Sequence, residues 1–188
     1  MMTREQALKI LHQNMKNENL RRHCYAVEAV MKALAKKLGG DEEKWGIVGL
    51  LHDGDYEKTK DTPEKHTLLM YQWLKDAGET DEEILNAILT HNYVHTGKNK
   101  PATKMEWALY CCDELTGLIV ATALVMPDKK LESVRVKSVL KKMKDKAFAA
   151  AVDREQIKMS KEKLDIPLEE FVKIALEAMQ KISGELEL

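Results

Sequence analysis

Cysteine is scarce in this chain, and the three present (Cys24, Cys111 and Cys112) are an odd count with two adjacent. That pattern argues against a disulfide framework and for a reducing cytoplasm. Proline (4) and glycine (9) are also few, and most stand where helices should stop. No stretch alternates convincingly with period two, so no sheet is expected. Charge of one sign is missing as well. The formal net charge of −1 gives no global attraction for nucleic acid or an anionic membrane, so any phosphate binding must be local. No apolar run approaches the ~18 residues that cross a bilayer. The start, Met1-Met2-Thr3-Arg4-Glu5, lacks the apolar segment of a signal peptide. Repeats, low-complexity tracts and Gly/Ser linkers are absent too. What remains is 188 residues, 44% hydrophobic and 32% charged, long enough for one buried core. The expectation is a soluble, cytoplasmic, all-α chain folded as one domain over residues 1–188.

Local signals place the helices. Thr3 to Gln6 reads as a capping box opening a helix with Ala7, Leu8, Leu11 and Met15 on one face. A second helix is predicted from about Asn19 to Leu38, stopped by Gly39-Gly40, with His23 on its apolar stripe because 23, 27, 30 and 34 share a face. A third, capped near Asp41, ends at His52-Asp53. Residues 54–62 read as a polar turn. Thr62-Pro63 then starts a helix reaching Ala77-Gly78, and Thr80 to Glu83 is a capping box for one ending before His91-Asn92. A polar loop with Gly97 and Pro101 leads to a central buried helix from about Lys104 to Met126, which contains Asp113. Helices around Val134–Met143, over Ala147–Ile157 and from Pro167 onward complete the chain, 129–188 forming a C-terminal extension.

Gly46 to Leu51 run apolar or small straight into His52 and Asp53, so a helix burying that run carries the pair inward. Burying an ionised carboxylate without a partner costs several kcal/mol, and imidazole with carboxylate is a common ligand pairing for first-row divalent metals. His23 and Asp113 offer ligand-type residues from two other interior-facing helices. Each has a structural alternative: a satisfied core histidine for His23, a cap or buried ion pair for Asp113. In the order His, His-Asp, Asp the alternatives lose their force.

Arg22-His23, Leu50-Leu51-His52-Asp53 closing a helix, and Asp113 resemble the HD superfamily of metal-dependent phosphohydrolases over about residues 20–120. The resemblance implies an HD-type helical bundle in which His23, His52, Asp53 and Asp113 bind a divalent metal. It also makes His66 and His91 candidate ligands of a second, with Asp53 bridging. One or two ions of Mn, Fe, Co, Mg or Zn are compatible with these donors. His95 is read as a substrate contact or a plain loop residue, and His12 as a surface residue without partners.

The implied reaction is hydrolysis of a phosphomonoester or phosphodiester in a nucleotide or small phosphorylated metabolite; no membrane partner is expected, and the balanced charge disfavours a nucleic-acid one. Asp55 and Glu57 follow the metal pair closely enough to serve as general acid or base. Arg22 and Lys100 are candidate phosphate contacts, with Lys98 and Lys104 beside Lys100. The Glu-Asp motif expected of alarmone hydrolases is missing. The lysine-rich run from Lys129 to Lys146 reads as a solvated face, and a phosphate or nucleic-acid patch is its sharper alternative. Two other readings stand beside the hydrolase: a di-iron oxygenase on the same fold, and a non-catalytic metal-binding domain.

Overall fold

The computed structural model describes residues 2–97 and 100–188, and among them there is no strand. Thr3 and Gln6 close their capping box to open α1 (Arg4–Asn14). Asn17 Oδ1 accepts from the Asn19 and Leu20 N–H groups to start α2 (Glu18–Leu38), and Gly39 ends it in the left-handed region at φ 74°. Asp41 caps α3 (Glu42–Leu51), where seven consecutive residues from Trp45 to Leu51 are buried. From Trp45 onward α3 is buried on every side, packed against α1, α2 and helices later in the chain. A Cβ on Gly49 would lie 2.9 Å from the Val27 carbonyl oxygen on α2. Only glycine permits that approach, and it brings the end of α3 against His23.

The next stretch departs from the sequence reading. The polar turn contains a short helix, α4 (Tyr56–Thr59). The single helix predicted over 63–77 is broken into a 3₁₀ turn at Pro63–Lys65 and α5 (Leu68–Asp76), with Thr67 between them at φ 74°. The cause is long-range. Buried Asp55 takes the Met70 N–H on Oδ2 at 2.9 Å and the His66 ring on Oδ1 at 2.7 Å, capping α5 in place of Thr67. Asp81, one residue later than expected, caps α6 (Glu82–His91) because its carboxylate reaches the Glu83 N–H. The loop beyond holds another short helix, α7 (Tyr93–Thr96).

A second capping box, Thr103 with Glu106, opens α8 (Lys104–Leu124). Its best 18-residue window has a mean hydropathy of 1.3, apolar enough to cross a membrane and a correction to the expectation that no run is. Because 61% of that window is buried and α8 packs on α2, α6 and the C-terminal helices, its apolarity is accounted for as core. A 3₁₀ turn at Leu131–Ser133 precedes α9 (Val136–Lys144). The helix expected over 147–157 is absent. The chain turns there, because Arg154 donates to the carbonyls of Asp145, Phe148, Ala149 and Val152, and Asp153 caps α10 (Arg154–Leu164) instead. After Pro167 come α11 (Leu168–Gln180), whose buried face includes Phe171, Val172, Ala175 and Met179, and α12 (Ser183–Leu186). The result is a single helical domain, with α10 and α11 packed on α8 and α11 also on α2.

Candidate metal centre

Five separate segments bring imidazoles and carboxylates to one point. α2 supplies His23, the end of α3 supplies His52 and Asp53, the turn before α5 supplies His66, α6 ends on His91, and α8 supplies Asp113. Asp53 divides its carboxylate: Oδ2 lies 3.6 Å from both His23 Nε2 and His52 Nε2, while Oδ1 lies 3.1 Å from His66 Nε2 and 3.6 Å from His91 Nε2. Asp113 does the same, with Oδ1 2.9 Å from His23 Nε2 and 3.6 Å from His52 Nε2, and Oδ2 3.7 Å from His91 Nε2.

Second partners fix which ring atom faces inward. His52 Nδ1 lies 2.7 Å from the Gly49 carbonyl, which can only accept, so Nδ1 carries a proton. Asp55 holds His66 Nδ1 in the same way. Thr116 donates to the Asp113 carbonyl at 2.8 Å and its oxygen faces His23 Nδ1 at 3.3 Å. In all three rings Nε2 is turned to the centre. Thr116, three residues beyond Asp113 on the same helical face, was missed by sequence reading, although that i, i+3 spacing was visible.

The electrostatics match a site made for a cation. Burial opposes charge on His23, yet the hydrogen bond to Asp113 and the field of Asp53 outweigh it and lift the ring to about 9. Burial likewise opposes His66, and its bonds to Asp53 and Asp55 raise it to about 10. Burial alone would raise the Asp53 and Asp113 carboxyls, but the surrounding histidines pull both well below the usual range. His91, with Nδ1 buried and unpartnered, is pushed down by burial. Two converging carboxylates and inward Nε2 lone pairs repel one another unless something positive sits between them, and here protons on His23 and His66 fill that role. Two overlapping sets, His23/His52/Asp113 and His52/Asp53/His91, each keep their donor atoms within 4.8 Å of one another. Such an N/O donor set fits a first-row divalent ion.

Other residues singled out in the sequence lie elsewhere. Asp55 is fully buried with both oxygens engaged, so it positions His66 rather than facing the centre. Glu57 is turned away: its Oε2 accepts from the Lys16 and Asn17 N–H groups at 2.6 and 3.1 Å. Neither is placed as a general acid or base. Arg22 sits beside the centre, bound to Glu18, Asn19 and Glu187. His95 is exposed and bonded to Asn92 Oδ1, whose Nδ2 donates to the Pro63 and His66 carbonyls. Lys100 is exposed, Lys104 begins α8, and Lys98 lies outside the described residues. His12 is exposed but not partnerless, since Nε2 lies 2.7 Å from the Tyr25 hydroxyl on α2.

The HD-domain model matches residues 20–175, reaching past the motif into the C-terminal helices. Over 100 residues the chain is 32% identical to Ribonuclease Y of Lawsonia intracellularis, covering 53% of this chain and 18% of that protein. Ribonuclease Y of Thermotoga petrophila and that of Thermotoga maritima are each 26% identical over 190 residues, 95% of this chain and 35% of theirs. The chain thus spans about a third or less of the length of these relatives. No solved structure matches it. With the motif, the convergence of its residues and a family match over most of its length, the chain belongs to the HD-domain superfamily of metal-dependent phosphohydrolases.

Proposed function

We propose that this chain hydrolyses a phosphomonoester or phosphodiester bond in a nucleotide-like substrate, using one or two divalent metal ions. The observation that carries this reading is the divided Asp53 carboxylate, with one oxygen toward His23 and His52 and the other toward His66 and His91. His23, His52, Asp53 and Asp113 would hold one ion, and His66, His91 and Asp53 a second. When bound, a divalent metal acidifies a water from a pKa of about 15.7 toward ~7 and neutralises charge on the phosphoryl group. The chain's own part is orientation. Gly49 and Asp55 keep the His52 and His66 rings aimed inward, Thr116 does so for His23, and buried helices exclude water behind them. Arg22, beside His23, contributes a guanidinium for a phosphate oxygen once it leaves Glu187.

A nucleic-acid substrate is a second reading, favoured by a specific observation. Lys129, Lys130, Lys137, Lys141, Lys144 and Lys146 are exposed, and none forms an ion pair among the described residues. Net charge near zero conceals this local patch. Since the relatives carry the name ribonuclease, the expectation of no nucleic-acid partner has no support from them.

Protein purified without chelator and tested on a panel of phosphomonoesters, dinucleotides and short RNA is expected to hydrolyse at least one class. A chelator should abolish turnover and added metal restore it. Metal-loaded protein inert across the panel, or turnover indifferent to the chelator, would contradict the reading.

A further inference from the structure

The cluster is closed on most sides. His52 is fully buried, and the His66 and His91 side chains are 9% and 8% exposed. His23 is the open side at 25%. It forms one end of a cavity of about 480 Å³ between the start of α2, the second half of α8 and the turn at α12. That volume lies in the range of small-molecule sites.

The walls have a definite chemistry. Along α8 the cavity follows Gly117, Val120 and Leu124, the face that continues from Asp113 at helical spacing. Leu186 and Leu188 stand opposite, and the polar groups at the rim are Asn19, Arg22 and Glu187. Gly117 sits inside a 21-residue helix, where glycine is disfavoured, yet a Cβ there would meet nothing within 4 Å. Close helix packing therefore does not call for it. What its missing side chain leaves is open floor, one turn from Asp113. Leu124, at the far end, is 49% exposed, an apolar side chain presented to whatever enters.

We propose that this trough binds the organic group esterified to the phosphate, a planar ring system with polar edges and about the size of a nucleoside, and that Gly117 sets that specificity. The aliphatic side chains of α8 and α12 contact the ring faces. Asn19 and Glu187 meet its edges, and the phosphate end lies at His23 and Arg22. This rests on the phosphohydrolase reading for which end of the ligand reacts, but not for whether the trough binds.

The test is binding. The dissociation constants of AMP and of hexyl phosphate are measured by calorimetry on Mn²⁺-loaded wild-type protein, Gly117→Leu and Leu124→Glu. Wild type is expected to prefer AMP. Gly117→Leu should weaken AMP at least tenfold, with metal content and helical circular dichroism unchanged. Leu124→Glu alters an exposed position that the fold tolerates, and should weaken AMP several-fold. Unchanged AMP affinity in both folded variants would overturn the proposal, and so would a preference for hexyl phosphate. AMP binding that is lost in Gly117→Leu, in a protein that turns over no phosphoester, would leave the trough standing and remove the hydrolase assignment instead.

Discussion

Asp53 joins the two halves of the centre, because each of its oxygens faces a different pair of imidazoles. On the proposed assignment His66→Ala or His91→Ala removes one metal equivalent and leaves one, as elemental analysis would show. Unchanged stoichiometry would make the site mononuclear. Protonation gives an independent check. His23 and His66, lifted to about 9 and about 10, carry protons at pH 7 that an incoming metal must displace. Metal uptake at pH 7 should then release about two protons, read as a buffer-dependent calorimetric enthalpy, and affinity should rise with pH up to that range. For the metal-free protein the sign is opposite. A histidine raised in the folded state stabilises fully below its unfolded pKa near 6.5, and that contribution fades as pH climbs toward about 10. His23, His52, Asp53 and Asp113 could be read from helix faces and from the order of the motif, whereas His66 and His91 came only with the family resemblance, His66 lying in a turn and not on a helix face. Asp55 and Glu57 could not, because their roles are set by N–H groups and rings distant in sequence: Met70 and His66 for one, Lys16 and Asn17 for the other.

At the scale of the element, the contact of α3 with α2 decides whether the centre forms. A methyl group on Gly49 would press on the Val27 carbonyl and the Glu28 backbone at 2.9–3.0 Å. Backbone cannot move aside as a flexible side chain can. Gly49→Ala is therefore expected to lower stability by about 1–3 kcal/mol and to weaken metal binding together with it, since His52 and its carbonyl partner shift as a unit. Thermal unfolding with metal titration checks this, and a variant of wild-type stability and affinity would count against the packing argument. Helices whose caps are local, such as α1, α2 and α3, were legible with their boundaries. The break between Pro63 and Leu68 was not, because its cap comes from Asp55, and neither was the start of α10, which depends on Arg154 gathering carbonyls from the preceding turn.

For the whole molecule, the net charge of −1 averages two unlike regions. Residues 129–146 hold seven lysines and Arg135 against Glu132 and Asp145, so the remainder of the chain is acidic. If that patch engages single-stranded RNA, log affinity should fall with log salt by about 0.7 for each phosphate neutralised. Replacing Lys137, Lys141 and Lys144 with Glu should then flatten the slope by about 2. Binding indifferent to these changes would return the patch to a solvated face. The all-helical architecture was legible from period and capping alone, and so was the lysine-rich run, whereas which of its lysines stand exposed needed the packed helices.

The most direct measurement of the central claim pairs metal content with turnover in Asp53→Ala and His52→Ala, each shown by circular dichroism to be folded. Both variants are expected to lose bound metal and all hydrolysis that wild type performs. Retention of wild-type metal content or of wild-type turnover in either folded variant would contradict a catalytic centre built on these side chains.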